Sequence, residues 1–130
     1  MGIFNKLFKS EDNGNRNAKN ISWIPLTAVN QLDEIVEASK TKTVAIFKHS
    51  TRCGISSMVI RQFEGSYDVP QDVADVYYLD LLQFRSISNE IASRFEVFHQ
   101  SPQLIIFRNG EVVFHTSHGD INSQQVAERV

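Results

Sequence analysis

A nearly continuous run of β-prone residues, Thr43 to Lys48, most constrains how this chain can fold. The run reads Thr-Val-Ala-Ile-Phe-Lys and lacks the apolar–polar alternation of a strand that has one solvent-facing side. Strands of this kind are buried on both faces, as in parallel sheets that helices cover on each side. The run therefore predicts a central strand in a layered α/β domain.

Helical and strand-like segments alternate around this run and predict the element order β-α-β-α-β-α-β-β-α. The first helix is predicted from about Ala28 to Ser39, and Asn109-Gly110 predicts a tight hairpin between the last two strands. Strands that alternate with helices pair in parallel, whereas the hairpin is antiparallel. The fold class is thus predicted as α/β, with a central mixed sheet flanked by helices on both faces.

Local signals predict where the helices begin and which face is buried. Thr27 is the predicted N-cap of the first helix, and Ser86 or Ser88 caps the third. A last helix is predicted to continue to Val130. The predicted inner face of the second helix follows apolar residues at helical spacing, namely Ile55, Met58, Val59 and Phe63.

The length of 130 residues and the net charge of −2 exclude several classes of protein. The length suits one domain with an ordinary core. The net charge lacks the basic excess that is typical of proteins that bind nucleic acid. No apolar stretch approaches the roughly 20 residues that span a bilayer. A single cysteine cannot form an internal disulfide, so the fold does not depend on an oxidising compartment. We therefore expect a cytoplasmic protein without nucleic-acid or membrane partners.

Residues 1–20 differ in composition from the rest of the chain. Ile3, Phe4, Leu7 and Phe8 have helical spacing, which predicts a short amphipathic start. A frayed terminal turn is favoured over a helix that docks on a membrane surface or a partner. The stretch from Ser10 to Asn20 is rich in Asn, Gly and charge, which is typical of a flexible linker. The domain is predicted to occupy residues 21–130.

Cys53, the only cysteine, follows the central strand after a polar turn and precedes the second predicted helix. Free N–H groups and the helix dipole favour a thiolate at a helix start, and nearby Arg52 adds positive charge. A buried, inert cysteine is the alternative, and the polar neighbourhood argues against it. Ser56 stands where a Cys-x-x-Cys redox motif carries its second thiol. The chain is thus predicted to take its second thiol from another molecule.

Four ordered stretches carry a resemblance to a known family. Together with the strand, cysteine turn and closing hairpin they resemble the thioredoxin fold and, more narrowly, the YtxJ-type monothiol bacilliredoxins. The resemblance extends from about Trp23 to the C-terminus, with Gly54 where the family often has Pro. The stretches are Lys48 to Ser56, Arg85 to Asn89, His99 to Gln103, and Ser117-His118.

This resemblance implies thiol–disulfide exchange with bacillithiol, a small thiol, as co-substrate, on client proteins that carry it as a mixed disulfide. Cys53 would be the catalytic residue, with no bound cofactor. Phe47 falls where thioredoxins place a buried Asp that serves the resolving cysteine, and Pro102 falls where they keep a cis-proline. The Ser101 backbone would then receive an incoming peptide or thiol. The predicted active-site loop and substrate-binding residues are Ser50, Thr51, Arg52, Gly54, Ile55, Ser56, Ser101 and Pro102.

Several roles near Cys53 have alternatives. Bacillithiol carries carboxylates, so Arg52 and Lys48 are candidates to bind them. The hydroxyl of Ser56 either bonds to the cysteine sulfur or faces solvent. Lys48, His49 and His99 are candidates for tuning the ionisation of the thiol, although structural histidines are commoner. No histidine forms a close metal-ligand pair with Cys53, so no metal is expected.

Two other functions compete with bacillithiol exchange. A glutaredoxin-like enzyme that uses glutathione has the same chemistry, because the choice of thiol depends on pocket shape. A redox-inactive thioredoxin-fold binding module would keep the fold with Cys53 incidental. Replacement of Cys53 separates the binding module from the enzymes, and parallel tests of the two thiols separate the enzymes.

Overall fold

The computed structural model describes residues 21–130, so the predicted amphipathic start and linker lie outside the described residues. No helix in residues 21–130 is long and apolar enough to cross a membrane. The elements in chain order are β1 (Trp23–Pro25), α1 (Gln31–Ala38), β2 (Thr43–His49), α2 (Gly54–Ser66), β3 (Ala74–Asp80), α3 (Arg85–Phe95), β4 (Gln103–Arg108), β5 (Glu111–Ser117), a 3-10 turn (His118–Asp120) and α4 (Gln124–Ala127).

The five strands form one mixed sheet in the order β1-β3-β2-β4-β5. Strand β3 pairs in parallel with β1 and with β2, whereas β4 pairs antiparallel with β2 and with β5. All seven residues of β2 are buried, as its unbroken apolar run predicts. The predicted α/β class and the mixed sheet are therefore confirmed. Because β2 and β3 are parallel, their carboxyl ends lie side by side at the same end of the sheet.

Helices cover both faces of the sheet and create two hydrophobic cores. On one face, α2 and α4 bury Phe47, Phe63 and Val126 in the same cluster. On the other face, α1 and α3 pack around Ile46 and Ile91. Each fully buried side chain of this size contributes about 1.5–3 kcal/mol of hydrophobic stabilisation. The alternation along β2 thus sends neighbouring side chains into different cores.

The hairpin between β4 and β5 follows its prediction. Asn109 and Gly110 have φ values of 59° and 84°, the left-handed conformation that a tight two-residue hairpin loop needs. The strand register shifts between Ile106 and Phe107. Val112 and Phe114 are two residues apart on β5 and would share a face of a regular strand. Across this irregularity they pack against different cores. Such bulges are common on edge strands, where they discourage pairing with another chain.

Two predicted helix starts are wrong. Helix α1 begins at Gln31, three residues after the predicted start, because the Gln31 side-chain oxygen accepts hydrogen bonds from the N–H groups of Thr27 (2.7 Å) and Ala28 (3.0 Å). These bonds stabilise a turn before the helix. Helix α3 has Phe84 as its N-cap, so Ser86 and Ser88 lie inside the helix and neither caps it.

The C-terminal helix is shorter than predicted. Helix α4 ends at Ala127 instead of continuing to Val130. Its start is fixed by Asn122, whose side-chain oxygen accepts a hydrogen bond from the Gln124 N–H at 2.7 Å. The Arg129 side chain turns back over the Phe114 ring, with its guanidinium carbon 3.9 Å from the ring centroid. This cation–π contact and the Arg129 hydrogen bond to the Gln125 carbonyl hold the chain end without a longer helix.

Candidate active site

Cys53 is the N-cap residue of α2, at the edge of the sheet where β2 ends. Its extended backbone (φ −105°, ψ 120°) stops the turn and lets its carbonyl accept the Ser57 N–H at 3.1 Å. Its own N–H donates to the Ser50 carbonyl at 3.1 Å, which closes the turn. The half-buried side chain forms no disulfide. Cys53 therefore lies at the N-terminus of α2, where the helix dipole favours negative charge, although its side chain makes no cap hydrogen bond.

The residues around Cys53 leave it open to solvent on one side. Thr51, Arg52, Gly54 and Ile55 are all exposed. No carboxylate in residues 21–130 forms an ion pair with Arg52. Its guanidinium is therefore available to a thiolate or to an anionic group on an incoming molecule, and its role in binding stays a prediction.

Gly54 is the first residue of α2 and tolerates a side chain. A Cβ added there has nothing within 4 Å. The preceding Cys53 already has the extended backbone that a residue before proline prefers, and proline suits the first helical position. We expect Gly54→Pro to raise the free energy of unfolding by about 0.4–1 kcal/mol, since it restricts the unfolded chain. Urea unfolding measures this change, and Gly54→Ala, which adds only a Cβ in open space, is the matched control. A destabilised Gly54→Pro protein would contradict the N-cap geometry of Cys53.

Ser56 is fully buried, which excludes the solvent-facing alternative. Its Oγ lies 2.7 Å from His49 Nδ1 and accepts the Ser50 N–H at 3.2 Å. These two contacts occupy the hydroxyl, so its partners are the end of β2 and the start of the turn. The Ser56 hydroxyl thus joins the first turn of α2 to the residues that lead into Cys53.

His49 lies inside the α2 face of the sheet. Its ring centroid is 6.5 Å from that of Phe47 and 5.6 Å from that of Tyr78. Burial lowers the pKa of His49, while the carboxylates of Asp80 and Glu64 raise it and oppose that change. With the net effect downward, the imidazole is neutral at neutral pH.

The predicted inner face of α2 is wrong near the start of the helix, where Ser56 and not Ile55 faces the core. Ile55 and Met58 are 56% and 47% exposed, whereas Val59 and Phe63 are buried as predicted. Ser56 takes the inner position because its hydroxyl has partners there. A buried hydroxyl with hydrogen bonds avoids the desolvation penalty that an unpaired one would incur. The rotation leaves Ile55, a predicted substrate contact, on the surface next to Cys53.

Lys48 and His99 lie on the opposite face of the sheet from His49. The Lys48 side chain is fully buried, and its Nζ is 3.4 Å from His99 Nδ1. Ser88 Oγ lies 3.3 Å from the same ring nitrogen. Burial lowers the pKa of His99, as do the charges of Lys48 and Arg85. Because Lys48 has no exposed surface, it does not bind an incoming carboxylate directly in this conformation, contrary to its proposed recognition role.

The charge of Lys48 is expected to cost stability. No carboxylate in the described part of the chain pairs with Lys48, and burial lowers the pKa of its amine from 10.5 to about 8. The unfolded chain therefore binds more protons between pH 8 and 10.5, so this group makes stability rise with pH in that window. Below pH 8 the charged amine is buried in the folded protein.

We expect Lys48→Met to raise the free energy of unfolding at pH 7 by about 1–3 kcal/mol, because it removes a buried unpaired charge. The advantage over the unchanged protein should shrink as pH rises from 8 towards 10. Urea unfolding at several pH values measures both effects, and Lys40→Met, at an exposed ion pair, is the control. A pH-independent loss of stability in Lys48→Met would contradict this account.

The loop before β4 contains the predicted cis-proline. The Ser101–Pro102 peptide bond is cis, and the Pro102 carbonyl accepts the His118 N–H at 3.0 Å. Within the described residues, Ser101 Oγ and Gln103 Oε1 are buried without a hydrogen-bond partner. The role of the Ser101 backbone in docking a substrate stays a prediction.

The structure separates the residues that the sequence grouped around Cys53. His49 and Ser56 meet on the α2 face, while Lys48 and His99 meet on the α3 face. Strand alternation puts the adjacent Lys48 and His49 on opposite faces, and this could have been inferred from the sequence. The contact of Ser88 with His99 had no sequence signal. In residues 21–130, no cluster of three His, Cys, Asp or Glu side chains has the arrangement of a metal site.

A thioredoxin fold with one cysteine at the N-terminus of its second helix defines the class of this protein as a thioredoxin-fold oxidoreductase. The chain belongs to the monothiol bacilliredoxin family, described as "Monothiol bacilliredoxin BrxC", which matches residues 24–126. The resemblance and the fold class read from the sequence are thereby confirmed.

Solved structures agree with this assignment. A solved structure of a protein with a thioredoxin fold is similar at 35% identity and a TM-score of 0.72, with coverage of 88% of this chain and 97% of that one. Thioredoxin from Malassezia sympodialis gives 21% identity, 82% and 86% coverage and a TM-score of 0.62. Thioredoxin from Schistosoma mansoni is 20% identical, with coverage of 83% of this chain and 95% of that one and a TM-score of 0.61. The two thioredoxins support the fold alone.

Proposed function

We propose that this protein removes bacillithiol from mixed disulfides on client proteins by thiol–disulfide exchange at Cys53. The observation that carries the proposal is the position of Cys53 at the N-cap of α2, with a serine one helical turn later in place of a second thiol. Membership of the monothiol bacilliredoxin family supports bacillithiol as the small thiol. Bacillithiol is a co-substrate in this scheme, and the cytoplasm is the proposed location.

The first half-reaction transfers bacillithiol to the enzyme. The Cys53 thiolate attacks the bacillithiol sulfur of the mixed disulfide. A new S–S bond joins Cys53 to bacillithiol as the old one breaks, and the client departs as a thiolate that takes a proton from solvent. The N–H groups at the start of α2 and the charge of Arg52 stabilise the attacking thiolate.

The second half-reaction needs a thiol from solution. Ser56 has no sulfur to attack the Cys53 disulfide, and the chain has no other cysteine. A second bacillithiol thiolate attacks the bacillithiol sulfur on Cys53, which releases oxidised bacillithiol and restores the Cys53 thiolate. The mixed disulfide on Cys53 therefore persists until an external thiol arrives.

The direct test uses a client protein with one cysteine that carries bacillithiol. Mixing it with this protein should restore the client's free thiol and add one bacillithiol to Cys53, as intact-mass spectrometry of both chains would show. The same client carrying glutathione is the parallel arm. Transfer of glutathione but not of bacillithiol would favour the glutaredoxin-like alternative, and transfer of neither would favour a binding module.

A further inference from the structure

Helix α2 buries a serine and exposes its larger apolar neighbours at the active-site end. Ser56 is fully buried, whereas Ile55 and Met58 are about half exposed. Hydrophobic burial alone would favour the reverse, since Ile and Met are among the residues most often inside a protein. The orientation of this turn must therefore be held by the hydrogen bonds of the hydroxyl, which join α2 to the end of β2.

The hydrogen atoms in this cluster can be assigned by counting. The Ser50 N–H donates to Ser56 Oγ, so the one hydrogen of the hydroxyl is left for His49 Nδ1 at 2.7 Å. This arrangement requires a neutral imidazole with its proton on Nε2. Burial favours the neutral form by lowering the pKa of His49. Protonation of His49 would place a second N–H donor on Ser56 Oγ and leave the hydroxyl hydrogen without this acceptor.

The cluster controls both ends of the turn that carries the thiol. Ser50 donates its N–H to Ser56, and its carbonyl accepts the N–H of Cys53. Cys53 is the N-cap and Ser56 is the third residue of α2, so the two positions face each other across the first helical turn. The hydroxyl thus sets the distance between the end of β2 and the helix N-terminus, where Cys53 is attached.

We propose that His49 and Ser56 are positioning residues, which hold the turn that carries Cys53 in place at the N-terminus of α2 during thiol–disulfide exchange. The inference rests on the proposed function only in taking Cys53 as the reacting group. It assigns Ser56, which stands at the position of a second thiol, a role in positioning the first thiol. The titratable groups that act on His49 from the elements packed against it are Tyr78 and Asp80 from β3 and Glu64 from α2.

The test measures attack of Cys53 on 5,5′-dithiobis(2-nitrobenzoate), a chromogenic disulfide that any exposed thiolate can cleave. The Cys53 thiolate forms a mixed disulfide with one aromatic half and releases the other half as a coloured thiolate. Ser56→Ala and His49→Leu should each slow this reaction about tenfold at pH 7, since each removes hydrogen bonds that order the turn. Ser57→Ala, the same change at the next residue, is the matched control and should react as the unchanged protein does.

A conservative variant and a pH profile separate positioning from a general loss of stability. His49→Asn keeps a hydrogen-bonding group near the place of Nδ1 and should recover most of the rate, although it loses ring packing. Below neutral pH the rate of the unchanged protein should fall more steeply than that of His49→Asn, because protonation of His49 removes the acceptor of the Ser56 hydroxyl hydrogen. Circular dichroism would establish that every variant is folded.

Two outcomes would overturn the inference. One is that folded Ser56→Ala and His49→Leu react at the unchanged rate. The other is that His49→Asn is as slow as His49→Leu and loses rate at low pH as steeply as the unchanged protein does. Failure of the proposed function looks different, because Cys53 would then cleave the aromatic disulfide with the predicted dependence on His49 and Ser56 yet take no bacillithiol from a client.

Discussion

Replacement of Cys53 by serine is expected to abolish thiol–disulfide exchange and leave the fold intact. A hydroxyl is not ionised near neutral pH and cannot form the mixed disulfide, so the client should keep its bacillithiol in full. Serine is also among the preferred N-cap residues, whereas Cys53 makes no side-chain cap hydrogen bond. The melting temperature of Cys53→Ser should therefore equal or exceed that of the unchanged protein, while intact-mass spectrometry shows no adduct.

The matched control is Ser57→Ala, which alters the same helical turn and should keep full exchange. A Cys53→Ser protein that fails to fold would identify Cys53 as a structural residue. A folded Cys53→Ser protein that still restores the client's thiol would contradict the assignment of Cys53 as the reacting group. The binding-module alternative predicts that partners captured by the protein are the same before and after this change.

Ser56→Cys is expected to turn the protein into a dithiol enzyme. A thiol at this position lies one helical turn from Cys53, and it can attack the bacillithiol disulfide from within the molecule. Well-oriented intramolecular reactions reach effective concentrations of about 10⁵–10⁸ M, and an effective concentration of only about 1 M, far below that range, already exceeds millimolar external thiol about a thousandfold. The lifetime of the Cys53 adduct should fall by at least about that factor, and the chain should accumulate as an internal disulfide, lighter by two hydrogen atoms.

Ser57→Cys is the control, because it adds a thiol to the same turn on a different side of the helix. It should leave the lifetime of the adduct within a few-fold of the original. His49 lies beside the new thiol in Ser56→Cys and can accept its proton. A long-lived Cys53 adduct in Ser56→Cys would show that the two positions do not meet, contrary to the geometry of the N-cap.

The sheet could be predicted from the sequence because its signals are local. The run from Thr43 to Lys48 has no polar face, and a strand of that kind has few places in a fold other than the middle of a covered sheet. Asn109-Gly110 likewise specifies a hairpin through its backbone preferences alone. The resemblance to a family also rested on short stretches in order.

The orientation of α2 could not be predicted because it depends on a contact between separate elements. Apolar spacing places Ile55 and Met58 inside as readily as Val59 and Phe63. The choice is made by the hydrogen bond between Ser56 and His49, which lie seven residues apart on either side of the cysteine turn. A tertiary hydrogen bond of this kind overrides the hydrophobic pattern, and the local sequence does not predict it.

The burial of Lys48 escaped prediction for a similar reason. A charged residue near the end of a strand is usually exposed, so a role at the surface was expected of it. Lys48 instead pairs in register with Gln103 on β4, and its buried amine lies 3.4 Å from His99 Nδ1. The start of α1 was missed because a side-chain oxygen, that of Gln31, stabilises the preceding turn.

The central claim is that Cys53 takes up one small thiol and then waits for a second from solution. The most direct measurement is an intact-mass time course of the protein with oxidised bacillithiol and, in parallel, with oxidised glutathione. The small molecules, including the thiol released as each adduct forms, are then removed before the reduced thiol is added. We predict one bacillithiol per chain on Cys53, formed faster than the glutathione adduct, stable until reduced bacillithiol is added and then released. A chain that gains no bacillithiol, or that loses it without an added thiol, would contradict the account.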